Sequence, residues 1–508
     1  MRSYRYILSI GLLIAALAYT LWFVFAGFGN HQDPLYWLYK YEHLEGGWMA
    51  VGTLLTGGAI VHLFGAQLLP LRLFGWLCTV TAVALPYVCL LTQEQRRENL
   101  HWLALTFILM GYGAFQEFSS GTLSVLLLSL LWVTQSPVVL GLAVAARFPN
   151  ILALLVLIPL WKKRNLWNIP IAAATAGIVY LLGYLFITPA VTDAAINSHD
   201  LWAMCTKLWE NSGKLIVYAF MGIGVLAFKH KKYAAYIVGP LVAFAAFYAT
   251  KPFQWYNTDL TYLLSAFVLV IALGKSKIKN QKSKILNHKF EILNGAMILI
   301  IATLGTDTAW LKLFPAVLCL LPVAAAYYEP AERRYLWIVL AVLSTVVIVR
   351  MTTNSVGQSN LTQVNTISSI SPYKGIAIRE VEEQRMTQYK ADYDSLNHKS
   401  EIINHKSKIL AIGQETHLLR AVTGCDAARY NEFWSNIYDS VYTAKYREII
   451  EAEQPIVFCS FTPQFKTKPV YKDKESAFEQ MLRAEGYRAI DRSKYKYMIY
   501  IPDDKEIR

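Results

Sequence analysis

AVGTLLTGGAIVHLFG, residues 50–65, decides how this chain threads. The stretch is apolar, yet short for a helix that must cover a hydrocarbon layer, a task for roughly 20 residues. Gly52, Gly57, Gly58 and His62 interrupt it. If it crosses a bilayer, Arg96-Arg97 falls on the side opposite the N-terminus and everything downstream is inverted. If it lies on the outer surface, as an interfacial helix does, every basic cluster falls on one side. That second reading is the consistent one, provided that 121–160 contributes three crossings.

The chain has 508 residues, of which 55% are hydrophobic and 16% charged, and its mean hydropathy is +0.33. A soluble core of this size needs less apolar residue. Apolar segments run near 5–26, 50–65, 70–92, 101–115, 121–134, 137–160, 168–190, 213–228, 233–250, 259–274, 295–304, 312–328 and 335–350. Basic residues gather at Arg96-Arg97, Lys162-Lys163-Arg164, Lys229 with Lys231-Lys232, 275–289 and Arg333-Arg334. Loops 27–46, 191–212, 251–258 and 305–311 are poor in Lys and Arg. This alternation is what the positive-inside bias produces. The expected fold is a polytopic α-helical membrane protein of about 13 transmembrane helices. They occupy 1–350, with surface helices in a first outer loop at 27–70. The N-terminal stretch has a basic start, a long apolar run and no small-x-small cleavage site, so it reads as an uncleaved first span. The N-terminus is expected to be cytoplasmic. The net charge of +13 then resides in cytoplasmic loops and implies no nucleic acid partner.

Residues 351–508 change character. GIAI (375–378), KILAIG (408–413), PIVFCSF (455–461) and YKYMIYIP (495–502) read as strands. Segments near 380–395, 415–424, 439–453 and 474–485 read as helices. The tail is expected to form a small α/β extracytoplasmic domain, without a phosphate loop or a nucleophile elbow. Six cysteines are scattered with no metal-ligand spacing, and no bound metal is indicated. Cys425 and Cys459 would pair only if the tail faces an oxidising compartment. KSKIKNQ, KSKILNH and KFEILNG repeat every seven residues at 275–295, and the phrase returns at 397–410. So few apolar positions make a poor coiled-coil seam, and the repeats carry no functional reading.

Asp33 is the central candidate for chemistry. It lies just beyond the first apolar run, where a carboxylate is able to act as a general base on an acceptor hydroxyl. Asp33-Pro34 also suits the cap of a helix beginning at Leu35. In that helix Leu35, Leu38, Tyr39, Tyr41 and Leu44 are expected to face lipid or protein. Lys40, Glu42, His43 and Glu45 are expected to stay wet, with Tyr36 beside them. Arg147, in AVAARFPNILALL, is an ionisable group inside an apolar stretch, and such groups are functional candidates by default. Arg72 opens a span at the same face and serves either as a second cation or as an anchor. His199 and Asp200 lie in an outer loop, and so do Asp259 and Asp307.

Taken in order, these features resemble the GT-C superfamily of membrane glycosyltransferases. The bacterial members related to protein O-mannosyltransferases and lipid A aminoarabinose transferases look most similar. The resemblance rests on Asp33 after a first span, a surface helix ending in Gly-Gly-Trp (46–48), and a second ending in Leu-Phe-Gly (63–65). It continues through Leu-Arg-Leu (71–73), ARFP (146–149), SHD (198–200) and the α/β tail. Relatives often carry two adjacent acidic residues where this chain has Gln32-Asp33-Pro34, and a basic residue and prolines before the second surface helix. The resemblance implies sugar transfer from a polyprenyl-phosphate donor to a glycan, lipid or protein acceptor on the outer face of a bacterial inner membrane. Asp33 would be the catalytic carboxylate, and Arg147 and Arg72 would hold the donor phosphate. Tyr36, Lys40, Glu42, His43, His199 and Asp200 would line the site. Cofactor use stays open, a divalent metal included. The competing readings are a transporter and a surface-polysaccharide assembly protein.

Overall fold

The structure, a computed structural model, describes residues 2–27, 32–110, 117–161, 167–189, 282–303, 309–326, 364–402, 408–413, 416–424, 440–460, 478–495 and 497–503, with a few positions between 340 and 348. The chain divides into two compact units. Unit 1 comprises 1–27, 41–64 and 69–362; unit 2 comprises 28–40, 65–68 and 363–508.

Unit 1 is helical. Its elements are α1 (Arg2–Phe25), the end of α2 (Gln32–His43), α3 (Val51–Phe64), α4 (Leu68–Leu90) and α5 (Gln93–Met110). There follow α6 (Ser120–Thr134), α7 (Pro137–Ala146), α8 (Leu154–Trp161), α9 (Asn168–Phe186), α10 (Lys282–Leu299) and α11 (Ala309–Ala326). Three helices among the described residues are long and apolar enough to cross a membrane: Tyr4–Phe25, Leu68–Leu90 and Asn168–Phe186. This is fewer than the expected spans, of which those near 213–228, 233–250 and 259–274 lie outside the described residues. Along α9, Ile178, Leu181, Tyr184, Leu185 and Phe186 are all exposed, an apolar surface that a soluble chain rarely leaves bare.

The 121–160 stretch breaks where its sequence predicts. Gln135 adopts φ +50 and terminates α6. Arg147 terminates α7 and starts a 3-10 turn, Phe148–Ala153, that leads into α8. With 10 residues, α7 is about 15 Å long, half of a hydrocarbon layer. The apolar segment expected at 295–304 differs at its start: α10 begins at Lys282, inside the heptad-like repeat, rather than near 295.

Contacts between helix ends sort unit 1 into two faces. On one, Arg72 Nη1 donates to Gly27 O at 2.9 Å, and the Phe118 N–H donates to Leu71 O at 2.8 Å. Thr53 Oγ1 donates to Ala146 O at 2.8 Å. There too β1 (Glu45–Gly46) pairs in parallel with β2 (Thr188–Pro189). On the other face, the Tyr87 hydroxyl donates to Arg96 O. Trp161 Nε1 donates to Gln135 O at 3.0 Å, and Trp132 Nε1 to Glu291 O at 3.0 Å. Helix α3 belongs to the first face along its length. Its first turn meets Ala146, and its middle meets Tyr41, whose hydroxyl reaches Phe118 O at 3.0 Å. Glycine permits this: a Cβ on Gly57 would lie 2.3 Å from the Tyr41 ring, and one on Gly52 would lie 3.0 Å from Ala146 N. The glycines that weaken 50–65 as a span let it pack closely.

Unit 2 holds β3 (Thr366–Ile367), β4 (Ala377–Ile378), α12 (Glu380–Ile402), β5 (Ile409–Gly413), α13 (Thr416–Thr423), α14 (Ser440–Glu453), β6 (Ile456–Ser460), β7 (Tyr487–Arg492) and β8 (Tyr497–Pro502). Four strands form a sheet in the order β5-β6-β8-β7, with β5 and β6 parallel and the other pairs antiparallel. Its core includes Met386, Tyr389, Ile449, Val457, Phe458 and Ile499, all nearly inaccessible. Sequence reading missed β7, YRAIDR, whose charges mask a strand pattern. Asp392 locks α12 to the sheet. It accepts from Arg492 Nε at 2.8 Å, Arg492 Nη2 at 2.9 Å, the Tyr497 hydroxyl at 2.5 Å and Gln388 Nε2 at 3.0 Å. Two segments distant in sequence join this unit. Residues 65–68 meet the Ser371-Pro372 turn, where the Leu68 N–H donates to Pro372 O at 3.0 Å. Residues 32–40 pack with α13, described below.

Candidate functional site

Arg72 is buried at the start of α4. Its Nε donates to Glu117 Oε1 at 3.0 Å while Nη1 holds the Gly27 carbonyl. Gly27 has φ +94, a left-handed conformation that glycine adopts without a steric penalty. Phe118 and Ser119 follow Glu117, and Ser119 opens α6 with a reciprocal capping box on Thr122. One guanidinium therefore ties together the end of α1, the start of α4 and the approach to α6. Glu117 was absent from the sequence candidates. The signal was there: it is the lone Asp, Glu, Lys or Arg between Glu98 and Arg147.

Arg147 is 7% exposed. Its backbone is extended, its N–H donates to Ala143 O at 3.0 Å, and its Nη1 donates to Ala302 O at 2.5 Å. Asn150 supports this break in the helix, its Nδ2 donating to Ala143 O at 2.8 Å. No carboxylate pairs with Arg147 among the described residues. Among the described residues Arg72 and Arg147 thus differ: one charge is matched by an acid, the other by a carbonyl dipole.

Helix α2 begins at Gln32, three residues before the expected start, so Asp33 lies inside its first turn rather than at its cap. A carboxylate is favourable there because the helix dipole is positive at that end. The Asp33 side chain lies outside the described residues, as do His199, Asp200, Asp259 and Asp307. Glu42 and His43 are exposed, as their pattern predicts. Lys40 corrects the pattern: it is 6% exposed, with its Nζ 4.3 Å from the centroid of the Tyr36 ring. Helical spacing of four residues stacks the two side chains. The Tyr36 ring also lies 5.3 Å from that of His417, and Arg420 sits 3.8 Å over the ring of Tyr39. Among the described residues no group of three His, Cys, Asp or Glu side chains is placed to hold a metal ion.

No family model matches the sequence, and no curated protein is similar to it. A solved structure that it resembles is that of ArnT from Cupriavidus metallidurans bound to undecaprenyl phosphate. The TM-score is 0.40 at 11% identity, over 97% of this chain and 97% of that one. Values this low do not establish a common fold.

Proposed function

We propose that this chain is a membrane glycosyltransferase of the GT-C type, moving a hexosyl or pentosyl unit from a polyprenyl-phosphate donor to an acceptor hydroxyl on the extracytoplasmic face. The observation that carries this reading is Arg147, a guanidinium buried in an apolar segment with no carboxylate beside it among the described residues. A buried cation calls for an anion, and a guanidinium matches a phosphate in shape and charge. The acceptor oxygen attacks the sugar C1, Asp33 takes the acceptor's proton, and the C1–O bond to phosphate breaks with its electron pair going to the leaving phosphate. Fixed positive charge at that phosphate stabilises the transition state, and Arg147 supplies it. Arg72 shares its charge with Glu117 and takes a supporting place beside the donor. Tyr36, Lys40, Glu42, His43, His199 and Asp200 are proposed to line the approach of the acceptor. The proposed location is a bacterial inner membrane, with the N-terminus cytoplasmic and residues 351–508 outside.

The test is transfer from a panel of polyprenyl-phosphate sugars by membranes carrying the wild type, Asp33→Asn or Arg147→Met at matched expression. The expected result is transfer by the wild type, loss in Asp33→Asn with donor binding retained, and weakened donor binding in Arg147→Met. Equal transfer in all three removes both residues from the mechanism. No transfer by the wild type with any donor and acceptor favours a transporter or an assembly protein.

A further inference from the structure

Helix α2 is held by aromatic faces. Leu35 and Leu38 are almost wholly buried, and the rings of Tyr36 and Tyr39 meet α13. His417, itself 3% exposed, lies ring to ring with Tyr36. Arg420 lies over Tyr39 at 3.8 Å. No carboxylate pairs with Arg420 among the described residues, and its buried Nη1 has no hydrogen-bond partner there. This half-buried guanidinium lies over the face of the Tyr39 ring, where cation–π attraction stabilises it. Tyr36 follows Asp33 by one helical turn, and Tyr39 follows by two. Contacts at those two rings fix the rotation and the axial position of the turn that carries Asp33, since a helix is stiff over this length.

We infer that α13, through His417 and Arg420, positions the Asp33 turn for catalysis, so that a segment near the C-terminus sets the rate of chemistry at the first outer loop. The inference rests on the proposed role of Asp33. Arg420, Tyr39, His417 and Tyr36 are positioning residues and take no proton. Displacing a base by about 1 Å costs on the order of a hundredfold in rate while leaving substrate affinity largely intact. The signature is therefore a fall in kcat at constant donor KM.

The experiment uses the full chain in membranes, with Asp33→Asn, Arg420→Ala, Arg420→Lys, Tyr39→Leu and Tyr39→Phe measured together. The expected result is a fall in kcat of tenfold or more in Arg420→Ala and Tyr39→Leu, with donor KM within twofold of wild type. Tyr39→Phe, which keeps the ring, and Arg420→Lys, which keeps the charge, each recover most of the loss. In parallel, Gln32→Cys is labelled with a membrane-impermeant maleimide, and Arg420→Ala is expected to speed labelling at least threefold. Loss of transfer in Asp33→Asn with unchanged kcat in Arg420→Ala and Tyr39→Leu overturns the positioning role and leaves the proposed function standing. A change confined to KM, or a Tyr39→Phe no better than Tyr39→Leu, overturns it too. Wild-type transfer in Asp33→Asn overturns the proposed role of Asp33 and the positioning of it together. Unchanged maleimide labelling overturns the clamp whatever the transfer assay gives.

Discussion

Arg72 and Glu117 form an ion pair at 3.0 Å with 7% and 14% of their side chains exposed. Removing one member of such a pair strands the other charge out of water. Arg72→Ala is expected to destabilise unit 1 by about 3–5 kcal/mol, read as a drop in the thermal unfolding midpoint in detergent. It also frees the Gly27 carbonyl. Glu117→Gln is expected to cost less, because the amide oxygen still accepts from Nε. A double variant no worse than Arg72→Ala identifies the pair as the source of the effect; additive losses argue against it.

Arg147 is expected to behave in the opposite way. Among the described residues it leaves no carboxylate behind when replaced, only the Ala302 carbonyl. Arg147→Met is expected to lose about 1–3 kcal/mol of stability and to unfold at a midpoint well above that of Arg72→Ala. If the two variants unfold alike, Arg147 is a structural anchor like Arg72.

The Asp392 cluster makes unit 2 sensitive to acid. Burial alone would raise the Asp392 carboxyl, but the Arg492 hydrogen bonds, then Tyr497, outweigh it and hold the group below its ordinary value. A folded pKa below the unfolded one contributes stability above about pH 4, and that contribution is lost as the pH falls through the folded value. Asp392→Asn is expected to cost about 2–3 kcal/mol at neutral pH, discounted because Arg492 is a third exposed. It is also expected to flatten the acid limb of stability against pH. The check is near-UV circular dichroism of the full chain from pH 7 to pH 3. An acid limb identical to wild type places the effect in other carboxylates.

Glycine substitutions are expected to separate close packing from bare helix. A Cβ on Gly295 would lie 2.2 Å from the Trp132 ring, and one on Gly57 would lie 2.3 Å from Tyr41. Gly177 has nothing within 4 Å. Gly57→Ala and Gly295→Ala are expected to cost about 1–3 kcal/mol. Gly177→Ala is expected to gain up to about 1 kcal/mol from helix propensity. Thermal unfolding of the three variants side by side tests this, and equal midpoints would refute the close approach.

The two faces of unit 1 are expected to label from opposite sides. In a cysteine-free background, Thr188→Cys is expected to react with an impermeant maleimide in intact cells. Gln135→Cys is expected to react only after permeabilisation. Labelling of both from outside, or the reverse order, would sink the threading argued from the basic clusters.

Much of this was legible from short-range pattern. The tail helices and four of its strands show in local periodicity, and Gln135 and Arg147 announce breaks because they interrupt apolar runs. Other features depend on partners far along the chain. Lys40 looks wet on a helical wheel, and only tertiary packing buries it. The strand β7 carries Arg488, Asp491 and Arg492, and the last of them serves Asp392, 100 positions away. The KFEILNG phrase reads as an expanded repeat, yet its Glu291 carbonyl and Gly295 meet Trp132. Arg72 was legible as an anchor or a ligand, but its partner Glu117 was not, a single charge in a short loop that no motif marks.

The packing of α2 on α13 has a consequence for biosynthesis. His417 follows Tyr36 by 381 residues (417 − 36), which a ribosome adds in about 20–75 s at roughly 5–20 residues per second. For that interval Tyr36 and Tyr39 have been translated without the helix whose His417 and Arg420 meet their rings. A chain truncated or stalled before 416 keeps this sticky aromatic strip uncovered, which marks it for chaperones and proteases as unfinished.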